Sequence, residues 1–202
     1  MWESIGQVRK RPGMYVGPTG DGTGLHNMIC EVVHNAINEA LSGYATRVDV
    51  VFNSNGSATV RDDGRGIPVG IDERTGRFFA ELIFTELLAL HPSSMDAPRV
   101  PDILVGMGLC VVNALSDWLE LRIWREGKEG FIRFRRGVPE ASLTVVHDAP
   151  GQHGTEITFL PGTEFFTTIE FDAQRLQNRL SELRRLIPGA NVVFSDLRHD
   201  RD

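Results

Sequence analysis

Residues 59–68 read TVRDDGRGIP, and this stretch decides which fold the chain can adopt. A strand-forming run leads into two adjacent carboxylates, Asp62 and Asp63, and then into a turn that contains two glycines. A strand that ends at Asp62 can point its carboxylate off the sheet edge, while Gly64 and Gly66 let the backbone approach a flat ligand. A carboxylate only accepts hydrogen bonds, so it suits a ligand with an amino group, such as adenine. An ordinary tight turn explains DDGRG equally well.

Upstream of this stretch, residues 25–41 have the pattern of an amphipathic helix. One arc is apolar, and the opposite arc carries the polar residues Asn27, Glu31, His34, Asn35 and Asn38. Exposed helix faces usually carry Lys, Glu and Arg, and asparagine is a mediocre helix former. The three asparagines therefore suggest a ligand, although a solvated face is the ordinary interpretation of any amphipathic helix.

Glu31 and Asn35 are one helical turn apart, so their side chains project side by side. A carboxylate beside an amide oxygen can hold a water molecule and a hydrated Mg²⁺, which prefers oxygen ligands. The pair therefore indicates phosphate hydrolysis.

Two further glycine segments are weaker signals. The loop VGMG at 105–108 opens a helical pattern, and a helix N-terminus offers free N–H groups to phosphate, but glycines precede many helices. Gly154 and Thr155 begin a strand, where a β-turn before a β-branched residue is as good an explanation as function.

Composition limits the class of protein. With 202 residues and 41% hydrophobic content, we expect one domain over residues 1–202. The net charge is −6 and the basic residues are scattered, so the chain lacks the clustered charge of a nucleic-acid interface. Cys30 and Cys110 lie in apolar helical patterns, which is typical of reduced thiols in a cytoplasmic protein. No apolar run approaches the roughly 18 residues of a membrane span.

The remaining pattern predicts an α+β fold. Strand-like runs lie at 47–53, 57–62, 119–125, 130–136, 143–146, 155–160 and 191–194. Helical patterns lie near 80–89, 108–117 and 172–186, and a long irregular loop lies at 91–102. Strands in hairpin-like succession, with helices grouped between them, favour a mixed, mostly antiparallel sheet with helices on one face.

Together these motifs resemble a known family. EVVHNAINEA (31–40), DDGRGIP (62–68), VGMG (105–108) and HGT (153–155) occur in the order of the GHKL ATPases, which share the Bergerat ATP-binding fold. VRKRPGMYVG (8–17) is more specific and is similar to the N-terminal ATPase domains of type II topoisomerases, namely DNA gyrase B and its topoisomerase IV counterpart. The resemblance covers almost the whole chain and implies that the chain binds ATP with Mg²⁺.

The resemblance also implies roles for individual residues. Glu31 matches the general base that activates water, and Asn35 matches the ligand of Mg²⁺ and phosphate. Asp62 matches the adenine-binding carboxylate, which Thr155 supports through water. The wall of the pocket matches Gly66, Ile67 and Pro68, and a salt bridge beneath the nucleotide matches Glu39 with Arg65. Arg125 matches an arginine at the pocket mouth that contacts aminocoumarin inhibitors in relatives. The lid glycines match Gly106 and Gly108.

The chain differs from the family at His34 and Asn38, where relatives have aspartates, and at Asn27, where relatives have a histidine. We also expect it to lack the N-terminal arm and the transducer domain, so that it behaves as a monomeric module with slow turnover. In a full-length assembly the resemblance implies a gyrase A-type subunit and DNA as partners, neither contacted strongly by this part, and no membrane. Two alternatives stay open: a non-catalytic nucleotide- or inhibitor-binding module, and the catalytic domain of a sensor histidine kinase.

Overall fold

A mixed sheet of eight strands forms the frame of the protein. The computed structural model describes residues 2–87 and 108–198. The strands in chain order are β1 (Arg47–Phe52), β2 (Ala58–Asp62), β3 (Ile71–Asp72), β4 (Arg77–Phe78), β5 (Ser116–Arg125), β6 (Lys128–Arg135), β7 (Val138–Pro139), β8 (Thr144–Asp148), β9 (Gly154–Pro161) and β10 (Asn191–Asp196). The sheet runs β10-β1-β2-β9-β5-β6-β7 with β8 also paired to β6, whereas β3 and β4 form a separate hairpin.

Only β1 and β10 pair in parallel within this sheet, and its other neighbours are antiparallel. All seven expected strands are present, and the expected mostly antiparallel sheet is confirmed. The structure adds β3, β4 and β7, which span two residues each and are too short to give a sequence pattern.

Six helices accompany the sheet in the described part of the chain: α1 (Glu3–Lys10), α2 (Gly13–Val16), α3 (Thr23–Leu41), α4 (Phe79–Thr85), α5 (Gly108–Ala114) and α6 (Ala173–Arg184). The apolar arc of α3 is buried and packs against β1, β2 and β9, as its periodicity indicates. The C-terminal end of α3 lies beside the turn that follows β2, since Glu39 on α3 pairs with Arg65.

The expected helix at 108–117 was wrong at its C-terminal end, because α5 stops at Ala114 and β5 begins at Ser116. Leu119 and Leu121 must alternate into the core, and a helix reaching residue 117 would leave no room for that strand. The Ser116 hydroxyl donates to Val112 O at 2.7 Å, which satisfies one carbonyl of the last helical turn.

The segment VRKRPGMYVG contains parts of α1 and α2, two helices that no strong periodic pattern predicts. Arg9 fixes α1 to the end of α5, since its Nη1 donates to Ala114 O at 2.8 Å. The same guanidinium pairs with Glu164 and lies 4.8 Å from the centre of the Phe165 ring. The motif therefore anchors the N-terminal helix against α5.

Cys30 and Cys110 are free and buried, and burial raises the pKa of the Cys30 thiol to about 11 and that of Cys110 to about 12. Both therefore stay protonated near neutral pH and pack as small apolar groups. Across residues 2–87 and 108–198, none of the helices has the length and apolar character that crossing a bilayer demands.

Candidate active site

The two adjacent carboxylates at the end of β2 have different surroundings. Asp63 accepts hydrogen bonds from the backbone N–H groups of Thr46 (2.7 Å) and Arg47 (2.8 Å), and from the Thr46 hydroxyl (2.6 Å). Partial burial would raise the pKa of Asp63, but these donors together hold it below its ordinary value. Asp63 therefore fixes the start of β1 and is a structural residue.

Asp62 faces the interior, and only 3% of it is exposed. Burial is the main cause that raises the pKa of its carboxyl to about 7. The N–H of Gly64 donates to Asp62 Oδ1 at 2.8 Å and opposes this shift, while the negative charge of Glu39 adds to it. The structure thus holds a buried acceptor that changes charge near neutral pH.

The turn after Asp62 packs so closely on neighbouring backbone that two positions require glycine. Gly66 has a φ of +77°, and a Cβ there would lie 2.7 Å from Trp124 O. Gly154 has a φ of +124°, and a Cβ there would lie 2.0 Å from Asp62 O. An isolated tight turn would require neither close approach, so DDGRG is built against the start of β9.

Thr155 lies opposite Asp62 in the register of β2 and β9. Its hydroxyl accepts a hydrogen bond from Ile67 N at 3.1 Å and ties the turn to the sheet. Both Thr155 and Ile67 are buried, whereas Pro68 is exposed. The structure therefore brings together five of the expected adenine-site positions: Asp62, Gly66, Ile67, Pro68 and Thr155.

Glu39 and Arg65 form an ion pair beside this turn. Glu39 Oε1 accepts from Arg65 Nη2 at 2.7 Å, and Oε2 accepts from Arg65 N at 3.0 Å and Nε at 3.1 Å. Burial would raise the pKa of Glu39, but the hydrogen bonds and charge of Arg65 bring it below its ordinary value. The guanidinium lies 3.8 Å from the centre of the Tyr44 ring, a contact that the sequence did not indicate.

Arg125 lies on the outer side of the same turn, where its Nη1 donates to Gly66 O at 2.7 Å. An open cavity of about 320 Å³ adjoins it, lined by Tyr44, Gly64, Arg65, Arg125, Glu126 and His153. The arginine expected at the pocket mouth is thus in contact with the glycine turn.

Glu31 and Asn35 are partly exposed on α3, one turn apart. Glu31 Oε1 accepts a hydrogen bond from Gly108 N, the first residue of α5, at 3.0 Å. Burial raises the pKa of Glu31, and the Gly108 N–H partly opposes this. A carboxylate with a raised pKa can take a proton from water. The other expected lid glycine, Gly106, lies outside the described residues.

The oxygen donors on α3 suit Mg²⁺ only together with a phosphate ligand. Within the described ranges, no group of three or more His, Cys, Asp or Glu residues could hold a metal ion. Mg²⁺ keeps several waters and is often bound by one or two protein oxygens plus substrate phosphates. The oxygens of Asn35 and Glu31 fit that mode, so Mg²⁺ would arrive with a phosphate ligand.

The expectation that His34 belongs to the polar arc was wrong. Only 7% of His34 is exposed, and Arg179 Nη2 on α6 lies 3.4 Å from its Nε2. Burial and the charge of Arg179 lower the pKa of His34 to about 4, so it is neutral at pH 7. Asn27 is also occupied, since its amide donates to Val16 O at 3.0 Å. Helical periodicity could not show that α6 and α2 cover these edges of the arc.

His153 is a contact residue that sequence reasoning treated only as part of the HGT motif. Its Nδ1 lies 2.6 Å from Asp63 O and 3.0 Å from Gly64 O. Its position directly before Gly154 could have indicated this contact, because the glycine brings the backbone of this segment close to Asp62.

Known proteins resemble the chain in both sequence and fold. A family model described as histidine kinase-, DNA gyrase B-, and HSP90-like ATPase matches residues 20–172. The DNA gyrase B protein of Rickettsia bellii is 53% identical over 96% of the chain, and that of Caulobacter vibrioides (strain NA1000 / CB15N) is 48% identical over 97%. The chain spans 24% and 26% of the length of these two relatives.

The fold also matches a solved structure. The crystal structure of the 43K ATPase domain of Thermus thermophilus gyrase B in complex with an aminocoumarin has a TM-score of 0.85 to this chain at 40% identity. That match covers 99% of this chain and 50% of the other. The similarity therefore extends through all the described elements of the candidate site.

Proposed function

Because the chain belongs to the family of histidine kinase-, DNA gyrase B- and HSP90-like ATPases, we propose that it is the ATP-binding and ATP-hydrolysing module of a DNA gyrase B-like type II topoisomerase. The gyrase B relatives at 53% and 48% identity support this over the sensor histidine kinase. In the full-length protein, ATP binding would close a dimer gate and hydrolysis would reset it. The proposed partners of the full-length protein are a gyrase A-type subunit and DNA, in the cytoplasm.

The buried carboxylate of Asp62 is the observation that carries the proposal. It lies at the end of β2 against a glycine turn, and Thr155 stands opposite it. The exocyclic amine of adenine would donate to Asp62, and Gly66, Ile67 and Pro68 would form the wall of the pocket. A buried hydrogen-bond acceptor favours a ligand that presents an amino or N–H group.

Glu31 is the proposed general base for hydrolysis. It would accept a proton from the water that attacks the γ-phosphorus as the bond to the leaving ADP oxygen breaks. Asn35, one turn away, would bind Mg²⁺ together with the phosphates, and the ion supplies positive charge to the transferring group. Both residues lie on α3, and Glu39 at the C-terminal end of the same helix pairs with Arg65 beside the adenine site.

One contact favours the non-catalytic alternative. The N–H of Gly108 donates to Glu31 Oε1 and stabilises the ionised carboxylate, which makes it a weaker base towards water. A module in which the carboxylate is too weak a base would bind ATP without cleaving it. Comparing ATP binding with ATP cleavage therefore separates an enzyme from a binding module.

The deciding experiment combines equilibrium ATP binding by calorimetry with single-turnover cleavage of radiolabelled ATP. Binding followed by slow release of inorganic phosphate supports the proposal. Binding without cleavage indicates the non-catalytic module, and transfer of the label to a protein histidine indicates the kinase. Absence of ATP binding would overturn the proposal and the kinase alternative, and would leave only an inhibitor-binding module.

We also propose that the 202-residue chain forms one domain and stays monomeric in isolation. One continuous cluster of buried residues joins elements from both ends of the chain, from Ile5 on α1 to Val192 on β10. Light scattering with and without a non-hydrolysable ATP analogue tests the monomer, and dimers in either condition would contradict it.

A further inference from the structure

We infer that His153 is a positioning residue of the adenine site. By holding the two carbonyl groups that follow Asp62, it keeps the Gly64 N–H on the Asp62 carboxylate. This inference rests on the proposed function, because it concerns how the acceptor for adenine is oriented.

The imidazole is placed by hydrogen bonds to the backbone. His153 Nδ1 lies 2.6 Å from Asp63 O and 3.0 Å from Gly64 O. Carbonyl oxygens only accept, so Nδ1 must carry the proton, and in the neutral ring Nε2 is left as an acceptor. The proton on Nδ1 is therefore shared between two consecutive peptide groups of the turn.

Both the N–H and the carbonyl group of Gly64 are therefore hydrogen-bonded. Its N–H donates to Asp62 Oδ1 at 2.8 Å, and its carbonyl accepts from His153. The residue also has little freedom to move sideways, since an added Cβ would lie 2.8 Å from Asp62 Oδ1 and 2.9 Å from Glu39 Oε2. Asp63 O and the Gly64 N–H belong to the same peptide group, so a rotation of that group that releases His153 would also move the donor away from Asp62.

The position of the ring follows from the neighbouring backbone. Gly154, with its φ of +124°, approaches so closely that a Cβ would lie 2.0 Å from Asp62 O. The residue directly before it is thereby delivered to the Asp63 and Gly64 carbonyls. A side chain with a hydrogen-bond donor at the δ position can then reach both carbonyl oxygens.

The chemical consequence reaches the carboxylate itself. The Gly64 N–H stabilises the ionised form of Asp62 and opposes the effect of burial on its pKa. Without His153 the donor is less well fixed, so the carboxyl group is more often protonated at neutral pH and is a poorer acceptor for an amine. Burial and register of Asp62 would be unchanged, since these are set by β2 and β9.

Two substitutions with the same polar group separate this role from a general effect on folding. In His153→Asn the amide nitrogen can occupy the position of the imidazole Nδ1, whereas in His153→Gln it lies near the position of Nε2. Gln152→Ala is the control for the loop, because Gln152 is exposed and makes no side-chain hydrogen bond to residues 2–87 or 108–198.

Two quantities are measured for each variant: the pKa of the Asp62 carboxyl in the nucleotide-free protein, by ¹³C NMR, and the dissociation constant for ATP, by calorimetry. We expect His153→Gln to raise that pKa and to weaken ATP binding about three- to tenfold, the effect of losing one ordinary hydrogen bond. His153→Asn should restore most of both losses, and Gln152→Ala should match the parent chain.

Equal behaviour of the Asn and Gln variants, or an unchanged Asp62 pKa in His153→Gln, would overturn the inference. If the parent chain does not bind ATP, the proposed function fails, but the pKa comparison still decides the role of His153. Thermal unfolding of all variants identifies a change in stability, and His153→Ala replaces the Gln variant if that protein does not fold.

Discussion

The carboxylates of Asp62 and Glu39 lie on two sides of one glycine. A Cβ at Gly64 would be 2.8 Å from Asp62 Oδ1 and 2.9 Å from Glu39 Oε2. The Arg65 guanidinium and backbone N–H keep Glu39 ionised, and the negative charge of Glu39 in turn contributes to raising the pKa of Asp62. Two neighbouring carboxyl groups thus differ in protonation because of their surroundings, which leads to the first prediction.

ATP affinity should increase with pH through the neutral range. The pKa of Asp62 is raised to about 7 in the free protein, and an amine donor binds the ionised form more tightly than the protonated form. Protonation of a group with that pKa reduces affinity by up to about tenfold at pH 6 and very little at pH 8. Calorimetry at pH 6, 7 and 8, with correction for the titration of ATP itself, measures this.

Asp62→Asn serves as the control for that experiment. Its side chain does not titrate, so its affinity should be independent of pH between 6 and 8. At pH 8 it should bind ATP more weakly than the parent chain by about 1 to 3 kcal/mol, the range for a charge-assisted hydrogen bond. Parent and mutant curves with the same slope would remove Asp62 from the adenine site.

The same pKa predicts a change in folding stability. The folded-state pKa of Asp62 is about 7 and its ordinary value is 3.8, so its favourable contribution is fully present below pH 4 and is lost as pH rises to 7. Relative to the parent chain, Asp62→Asn should therefore gain about 3 kcal/mol in unfolding free energy between pH 4 and pH 7. Urea denaturation across this range measures the difference, and a constant difference would contradict it.

Glu31→Gln should abolish ATP cleavage and change ATP affinity less than threefold. The amide keeps an oxygen for the Gly108 N–H but cannot take a proton from water. Single-turnover cleavage and equilibrium binding are measured on the same preparation. Equal loss of binding and cleavage would indicate that Glu31 has a structural role.

Gly154→Ala should destabilise the protein by more than about 3 kcal/mol or prevent folding. The added Cβ would lie 2.0 Å from Asp62 O, so β2 and β9 could not keep their spacing. Gly151→Ala is the matched control, because Gly151 also has a positive φ of +74° but nothing within 4 Å of the Cβ. That variant should lose only about 1 kcal/mol from backbone strain, and similar losses for both in urea denaturation would disprove the steric explanation.

Much of the fold could be predicted from local patterns. Val48, Val50 and Phe52 recur at every second position of β1, and the apolar arc of α3 repeats at helical spacing, so both patterns indicate which faces are buried. The end of α5 could not be predicted in this way, since Ser116 and Asp117 fit a helix and lie in β5 only because Leu119 and Leu121 must reach the core.

The candidate site shows the same division. Asp62, Glu31 and Asn35 were identifiable because their residue types are unusual at those positions of a strand end or a helix face. His34 was misplaced and His153 was overlooked, because each is positioned by a distant segment, α6 in one case and the turn after β2 in the other. The local sequence patterns around His34 and His153 do not show contacts with distant segments of the chain.

The different surroundings of Asp62 and Asp63 have a consequence for the order of residues in β2. Successive side chains of a strand point to opposite faces, so deletion of one residue within β2 would move Asp63 to the buried position and leave Thr46 and Arg47 without their carboxylate. The sequence around the turn would still read as an aspartate followed by glycine. The deletion would keep a carboxylate at the end of β2 but lose the one that fixes the start of β1, so both aspartates are needed at their present spacing from Ala58.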